Sequence, residues 1–421
     1  MDTQTQKCVK ILQFGEGVFL RGFVEALVQR MNQEADFNGE VYAVKPRAGA
    51  VPEAFAAQNY RYNLLTRGIA SDGSVVEKAE VITCLKKVYS SSNEWSEIEK
   101  LAADKDLQFV FSNTTEAGIE YQEGNFDTFP GKLARLLKVR FAAGLPGLTI
   151  LPCELIEKNG ATLKEYVLRY LADDPAADYV RKECQFYDTL VDRIVSGFPA
   201  DAERFDALDK LMVAVEPFAF WAIQAPEALR EKLPLPSDVA LFTDDLQPYR
   251  TRKVRALNAS HTCMVPAGLL ANFAEVGELL ADEKFGKRIE KTLFEEILPT
   301  IPLPEAEKIA FAKSVLQRFA NPFAHHKLAA IALNSVSKWQ VRILPVILDS
   351  AVLPEYLAGS IGELYKLYKQ NGGVFDNPAV QAKFARNDYT LDAFLSDKEF
   401  WNMDLHTVNG LAEQARKAAE L

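Results

Sequence analysis

Histidine is scarce in this sequence, and cysteine is neither abundant nor clustered. The 421 residues include four histidines and five cysteines. No C-x-x-C pair and no Cys/His group has the spacing of metal ligands, so we expect no metal site. An odd number of scattered cysteines also argues against a disulfide framework and favours a reducing cytoplasm.

An excess of positive charge and long apolar runs are also lacking. The net charge of -10 excludes a general nucleic-acid binder, which needs clustered Lys and Arg. The longest stretch without formal charge, 256–274, contains Asn258, Pro266 and Asn272, which a membrane-spanning helix would not tolerate. The first ten residues have no apolar core of signal-peptide length. We therefore expect neither a membrane protein nor a secreted one.

What is present is the composition of a two-domain globular enzyme. A chain of 421 residues with 48% hydrophobic residues exceeds the usual size of one hydrophobic core. Short apolar runs predict strands at 9–14, 41–44, 107–111 and 148–151, and amphipathic patterns predict helices at 133–140 and 163–171. This alternation predicts an α/β domain with a parallel sheet.

The pattern changes to long helices after Phe198-Pro199. We therefore place a dinucleotide-binding domain at 1–198 and a mostly helical substrate domain at 199–421. One helix is predicted at Glu305–Phe319, and its apolar face should comprise Ile309, Ala312, Leu316 and Phe319.

A Gly15-x-Gly17 turn stands where the first strand meets a helix. Glycines in this position let a backbone approach a pyrophosphate, with the helix N-terminus facing the phosphates. The match to G-x-G-x-x-G is imperfect, because Leu20 occupies the third position and the next glycine is Gly22. A plain tight turn is the alternative.

Two further segments follow predicted strands and bear on the cofactor. The second strand ends in Lys45-Pro-Arg47 and lacks the acid that normally binds the adenosine ribose. Lys45 and Arg47 could face a 2′-phosphate or simply be solvated, so the residues leave NAD and NADP open. The segment Ser112–Gly118 offers small polar groups at the carboxyl edge of the sheet, where ligands bind in such folds.

A lysine, an amide and an imidazole lie close together in the second half of the chain. They form the pattern K-x(4)-N-x(2)-H at Lys253, Asn258 and His261. At ~100° per residue of an α-helix, Asn258 and His261 are neighbours and Lys253 lies within ~140° of both. One broad helix face can therefore carry an acid/base group and two hydrogen-bonding groups.

This spacing resembles the signature of the polyol-specific long-chain dehydrogenases, the mannitol dehydrogenase family. Further blocks resemble its uronate branch and run in order through most of the chain. They are Gln13–Arg21, Ser112–Gly118, Phe129–Lys132, Pro152–Gly160, Val191–Ile194, Glu216–Phe218 and Asn334–Lys338.

The resemblance implies a Rossmann-type domain, a largely helical second domain and metal-independent catalysis with NAD. It implies that Lys253 is the general acid/base, that Asn258 polarises the carbonyl and that His261 binds a substrate hydroxyl. Lys338 and Asp192 match substrate-contact positions of the family. The cofactor contacts that we assign are Phe14, Gly15, Gly17, Val18, Phe19, Arg47, Asn113, Thr114 and Glu116.

Two departures from the family pattern bear on the substrate. Cys153-Glu154-Leu155 replaces a block that holds a second oxyanion asparagine, and Arg250 replaces a family glutamate. An added positive charge suits a substrate with a carboxylate, such as a hexuronate or aldonate. Arg250 and Lys338, with Arg193 as a further candidate, are therefore predicted to bind that carboxylate.

Three functional hypotheses remain at this stage. The first is a reductase of tagaturonate, which the blocks at 112–118 and 153–160 favour. The second is a reductase of the epimeric keto acid fructuronate, and the third is a regulatory protein that binds a dinucleotide without turnover. An intact acid/base set argues against the third. The sequence leaves open whether the chain is a monomer or a small homo-oligomer.

Overall fold

The chain folds into two units, each with its own core. The structure is a computed structural model that describes residues 8–420, apart from the side chain of Glu116. The first unit contains the chain up to Arg67 together with Val75–Leu246. The second contains Gly68–Ser74 and the chain from Gln247 onward.

The first unit mixes strands and helices. Its strands are β1 (Val9–Phe14), β2 (Gly39–Lys45), β3 (Tyr62–Ile69), β4 (Val75–Ile82), β5 (Leu85–Ser90), β6 (Leu107–Ser112), β7 (Thr149–Pro152), β8 (Gln185–Phe186), β9 (Thr189–Asp192), β10 (Val195–Gly197), β11 (Val213–Val215), β12 (Phe220–Ile223) and β13 (Ala240–Phe242). Its helices are α1 (Val18–Gly22), α2 (Val24–Glu34), α3 (Glu53–Ala57), α4 (Trp95–Ala102), α5 (Phe129–Ala142), α6 (Asn159–Leu171) and α7 (Ala176–Glu183).

A parallel sheet forms the centre of this unit. Its strand order is β5-β2-β1-β6-β7-β8, and each neighbouring pair is parallel. Side chains of β1 enter the core on both faces of the sheet, with Ile11 in one cluster and Leu12 and Phe14 in the other. Burial on both faces is typical of a parallel sheet covered by helices. The predicted Rossmann-type fold is confirmed.

Two small sheets extend this unit. One has the order β10-β11-β3-β4 and the other the order β13-β12-β9. Their strands include residues beyond 198, so the structure divides the chain at Leu246/Gln247 and not after residue 198. The reason is that β11 pairs with β3 and β12 pairs with β9. Pairing between strands so distant in sequence leaves no periodic signal at the expected boundary.

The second unit is mostly helical. Its α-helices are α8 (Gln247–Arg252), α9 (Ser260–Leu270), α10 (Val276–Ala281), α11 (Glu283–Lys291), α12 (Glu305–Phe319), α13 (Leu328–Ile331), α14 (Ser335–Arg342), α15 (Leu344–Asp349), α16 (Glu355–Asn371), α17 (Pro378–Phe384), α18 (Leu391–Leu395), α19 (Lys398–Trp401) and α20 (Leu411–Glu420). Two π-helical segments, Lys253–Ala259 and Thr292–Ile297, interrupt this series.

Helix α12 has the predicted limits but a slightly different buried face. Ala312 and Phe319 are buried as expected, whereas Ile309 and Leu316 are only half-buried. Phe311 and Val315 take their places in the core. The apolar residues cover more than one face of this helix, so the sequence pattern did not fix which face turns inward.

Candidate active site

A tight turn follows β1 and contains two glycines in different environments. Gly15 has a φ of 117°, a backbone conformation that favours glycine. Its N–H donates to the Val44 carbonyl oxygen at 2.9 Å, and a Cβ built on it would lie 2.9 Å from the Asn113 carbonyl oxygen. A Cβ on Gly17 would meet no atom of the described residues within 4 Å. Gly15 therefore lets the turn pack tightly, whereas Gly17 leaves open space before it.

This turn lies where the strand order of the sheet reverses. Strand β2 flanks β1 on one side and β6 flanks it on the other. The Asn113 N–H donates to the Phe14 carbonyl oxygen at 3.0 Å and joins the carboxyl ends of β1 and β6. Nucleotides bind at such a crevice in open parallel sheets. The open face of Gly17 fits a bound pyrophosphate there, because a backbone without a side chain can be approached closely.

The third glycine of the fingerprint is displaced, but its packing role is retained. A Cβ on Gly22 would lie 2.8 Å from Val215 Cγ1 and 3.0 Å from Val195 Cγ1. Helix α1 therefore approaches β10 and β11 closely only because Gly22 has no side chain. Leu20, at the usual third position, is a buried core residue instead.

Apolar residues around the turn differ in what they can offer a cofactor. Phe14 is fully buried with its ring 4.8 Å from that of Phe129, so only its backbone can contact a ligand. The Phe19 ring stacks on Phe23 at 5.3 Å. Val18 is 39% exposed. Among these three assigned contacts, Val18 offers the most accessible side chain.

A buried carboxylate organises the chain after β6. Glu154 accepts hydrogen bonds from the Ser112 hydroxyl at 2.9 Å, the Thr114 N–H at 2.8 Å and the Thr114 hydroxyl at 3.0 Å. Burial raises the pKa of Glu154, and these hydrogen bonds oppose that rise. The Asn113 side chain donates to the Cys153 carbonyl oxygen at 2.9 Å. The assigned residues Asn113 and Thr114 are thus held rigidly at the sheet edge.

Asn159 fixes the next loop in the same way. Its Nδ2 donates to the carbonyl oxygens of Pro152, Glu154 and Thr189 at 3.1, 3.0 and 3.1 Å. Its Oδ1 accepts from the N–H groups of Gly160 and Thr189, each at 2.9 Å. This fully buried amide joins the ends of β7 and β9.

The two basic residues expected near the cofactor lie at the end of β2 and differ in their contacts. Lys45 Nζ donates to the carbonyl oxygens of Arg47 and Ala48, each at 3.3 Å, so the lysine is folded back onto its own loop. Arg47 is exposed. The side chain of Glu116, another assigned contact, lies outside the described residues.

In the second unit, a π-helical segment begins at Lys253 and reaches Ala259, and His261 follows in the first turn of α9. A π-helix joins residues five apart by hydrogen bonds, so Lys253 and Asn258 lie on one face. The sequence predicted an α-helix here and the structure has a π-helix, but Lys253 and Asn258 still share one face. Lys253, Asn258 and His261 are all half-buried. Short π segments are frequent at functional sites.

His261 has a positively charged environment and an unmatched polar atom. Its Nε2 is buried without a hydrogen-bond partner among the described residues. Its ring lies 4.3 Å from that of Phe319 and 6.1 Å from that of His326. Burial lowers the pKa of His261 to about 3, and further lowering comes from the charges of His326, Arg318, Arg342 and Lys338. The imidazole is therefore neutral at physiological pH.

The residues expected to bind a carboxylate occupy several environments. Lys338 is half-buried on α14, and its Nζ donates to the Ile331 carbonyl oxygen at 2.8 Å. Burial, followed by the charge of Arg342, lowers the pKa of Lys338. Arg250 is half-buried on α8, three residues before Lys253.

Two other arginines near Lys253 make structural contacts. The buried Arg252 packs its guanidinium over the Phe311 ring at 4.2 Å. Arg255 donates to the Thr300 carbonyl oxygen at 2.6 Å and pairs with Asp349. Neither arginine is included in the candidate substrate site.

Asp192 and Arg193 belong to the first unit. Asp192 is buried at the end of β9, opposite Phe220 of β12. Arg193 donates to the Glu216 carbonyl oxygen at 3.1 and 3.0 Å and to the Gly22 carbonyl oxygen at 2.8 Å. These bonds occupy its guanidinium, so we do not retain Arg193 as a carboxylate ligand.

The sequence assigned no role to three residues that contact the candidate site residues or their loops. Glu154 and Asn159 lie in the block 152–160, but nothing in the pattern indicates how many backbone groups each one binds. Arg342 stands four residues after Lys338, and that helical spacing was the available signal.

Two other features are absent from residues 8–420. No group of three or more His, Cys, Asp or Glu side chains in that range could hold a metal ion. No helix in the same range is long and apolar enough to cross a membrane.

A Rossmann-type sheet with an open glycine turn, followed by a helical unit that carries Lys253, Asn258 and His261, is the arrangement expected of an oxidoreductase of the dehydrogenase class. The family model for the mannitol dehydrogenase Rossmann domain matches residues 9–237, and that for the mannitol dehydrogenase C-terminal domain matches residues 245–421. The chain belongs to the mannitol dehydrogenase family. It is an oxidoreductase that acts on a CH–OH group.

Curated relatives agree with this assignment, and solved structures share the fold. The altronate oxidoreductase of Halalkalibacterium halodurans is 38% identical over 95% of this chain and 82% of that protein. That of Cronobacter sakazakii is 38% identical over 97% and 93%, respectively. A substrate-free D-sorbitol dehydrogenase has the same fold, with a TM-score of 0.81 at 20% identity over 99% of this chain and 94% of that one. Pseudomonas fluorescens mannitol 2-dehydrogenase, solved with NAD and D-mannitol, gives 0.72 at 20% identity over 100% and 92%.

Proposed function

We propose that this chain interconverts D-tagaturonate and D-altronate with NAD as the cofactor. The names of relatives that are 38% identical over nearly the whole chain support altronate as one partner of the reaction. The observation that carries the proposal is the positive environment of His261, which suits an anionic substrate better than a neutral polyol.

Each candidate site residue of the second unit has a role in the proposed reaction. Lys253 gives a proton to the carbonyl oxygen during reduction and takes it back from the hydroxyl during oxidation. Asn258 donates a hydrogen bond to the same oxygen as negative charge develops on it. The unmatched Nε2 of His261 hydrogen-bonds a neighbouring substrate hydroxyl. Lys338 and Arg250 attract the substrate carboxylate.

Residues of the first unit would hold the cofactor, which when bound as NADH supplies the hydride. Gly17 would admit the pyrophosphate to the crevice after β1, Gly15 keeps that turn tightly packed, and Asn113 lines the adjoining edge. We infer NAD over NADP from the family resemblance. Lys45 is already bonded to its own loop, which leaves Arg47 as the basic residue available to a 2′-phosphate.

We also propose that the protein works in the cytoplasm. All five cysteines are free, and four of them are buried. Unpaired cysteines are usual in a reducing compartment.

The substrate proposal is tested by offering tagaturonate, fructuronate and fructose in parallel and following NADH consumption by absorbance. We expect tagaturonate to give the highest kcat/KM, and fructose to be a poor substrate because it has no carboxylate. A preference for fructuronate would transfer the assignment to the epimeric keto acid. Equal efficiency with fructose would refute the carboxylate site and leave a polyol dehydrogenase. Repeating the series with NADPH tests the cofactor, since a clear NADPH preference would overturn NAD.

A further inference from the structure

Helix α14 carries two cations on one face, and that face lies toward the segment that carries Asn258 and His261. Lys338 and Arg342 are four residues apart, which places their side chains next to each other on a helix. Arg342 donates to the Thr262 hydroxyl at 3.2 Å, and that hydroxyl donates to the Asn258 carbonyl oxygen at 2.9 Å. Arg342 is thus connected to the segment that carries Asn258 and His261.

This pair of cations has no carboxylate partner within residues 8–420. Neither Lys338 nor Arg342 forms an ion pair with any of residues 8–420 that the structure describes. Asp376 influences Lys338 electrostatically, but its carboxylate already accepts from the Val336 N–H and the Tyr368 hydroxyl, each at 3.0 Å. Two half-buried positive charges side by side on a helix are unfavourable unless an anion joins them.

Both side chains keep donors available for such an anion. A guanidinium has five N–H donors, of which Thr262 receives one from Arg342. An ammonium has three, of which the Ile331 carbonyl oxygen receives one from Lys338. Burial lowers the pKa of Arg342, as expected for a cation without a counterion. A guanidinium can bind both oxygens of a carboxylate through two parallel hydrogen bonds.

We propose that Arg342 binds the substrate carboxylate together with Lys338 and is the residue that makes the enzyme prefer sugar acids to neutral polyols. The inference rests on the proposed function and adds to it the residue responsible for the choice of substrate. The carboxylate would lie between the two cations, and the polyol chain would extend toward His261 and Asn258.

The test compares Arg342→Met, which keeps much of the aliphatic stem and removes the charge, with Arg342→Lys, which keeps a charge and loses the planar fork. We expect Arg342→Met to raise the KM for tagaturonate by ~10- to 100-fold, because it removes the charge-assisted hydrogen bonds to the carboxylate. The activity with fructose should fall much less than that with tagaturonate, because fructose has no carboxylate for Arg342 to bind. Arg342→Lys should give an intermediate KM.

Two further variants separate binding from structural support. Thr262→Val removes the hydroxyl that Arg342 contacts but keeps the guanidinium, so it should change the KM for tagaturonate less than Arg342→Met does. Lys313→Met removes an exposed positive charge on α12. It should change neither the KM for tagaturonate nor the activity with fructose. NADH binding and the thermal unfolding midpoint are measured for each variant to confirm that it is folded.

The proposal is overturned if Arg342→Met impairs tagaturonate and fructose equally, or if Thr262→Val reproduces its effect, since either result assigns Arg342 a structural role. An unchanged KM for tagaturonate would overturn it as well. These outcomes differ from failure of the proposed function, which would appear in the unmodified enzyme as a lack of preference for hexuronates.

Discussion

Lys253 is the residue on which the proposed proton transfer depends. It lies half-buried at the start of the π-helical segment, five residues before Asn258. Lys253→Ala should cut turnover with tagaturonate by ~10² to 10⁴, the usual contribution of a general acid/base. Because Lys253 belongs to the second unit and the glycine turn to the first, NADH binding should be retained. Turnover near that of the unmodified enzyme would remove the lysine from the mechanism.

His261 should also make stability depend on pH. Its pKa is lowered to about 3 in the folded chain, against an ordinary value of 6.5. Between these values the unfolded chain binds a proton that the folded chain does not, so stability falls as the pH drops from 6.5 toward 3.

His261→Gln is the variant that isolates this effect. It should make the decline of the unfolding midpoint between pH 6.5 and pH 3 shallower than in the unmodified protein. Urea unfolding at a series of pH values measures both curves. Parallel curves would show that the imidazole is protonated alike in the folded and unfolded chains.

At the residue scale, the sequence predicts which candidate residues lie near each other better than it predicts their surroundings. The spacing of Lys253, Asn258 and His261 indicated a common site, and the structure assembles them in one segment. The sequence did not reveal that Arg318 and His326 would influence His261, because these residues come from other parts of the chain. Such encounters depend on helix packing rather than on local spacing.

At the scale of elements, the sequence predicts a helix at the π-helical segment but not which type of helix it is. Hydrophobic periodicity predicts a helix there, but it does not distinguish an α-helical turn from a π-helical one. The first strand and helix α12 were predicted to the residue, since strong local patterns define both. The short strands β9 and β11, of four and three residues, were not predicted.

Gly17, the N-cap of α1, and Gly22, its last residue, allow stability and cofactor binding to be tested separately. Gly22→Ala would place a Cβ 2.8 Å from Val215 Cγ1 and should lower the free energy of unfolding by ~1–3 kcal/mol, as overpacking does. Gly17→Ala meets no described atom within 4 Å and should leave stability within ~0.5 kcal/mol of the unmodified protein. It should nevertheless weaken NADH binding, because its methyl group occupies the pyrophosphate space.

Denaturant unfolding and NADH fluorescence titration measure the two effects. The two alanine variants serve as controls for each other, since each adds one methyl group, one at the N-cap of α1 and one at its last residue. Unimpaired NADH binding by Gly17→Ala would show that the pyrophosphate does not lie over this turn.

At the scale of the whole molecule, the parallel sheet was accessible from sequence, but the boundary between the two units was not. Alternating strand and helix patterns indicate a Rossmann-type sheet, and the structure has one. The first unit continues to Leu246 because late strands pair with early ones. Only long-range pairing determines that boundary, and a single sequence carries little information about it.

The most direct test of the whole account is the product formed from tagaturonate and NADH deuterated at both positions of the nicotinamide C4. The account predicts altronate that carries one deuterium on the carbon of the former carbonyl, detected by mass spectrometry and NMR. An altronate product without deuterium would contradict direct hydride transfer, and formation of the epimeric acid would contradict the proposed reaction.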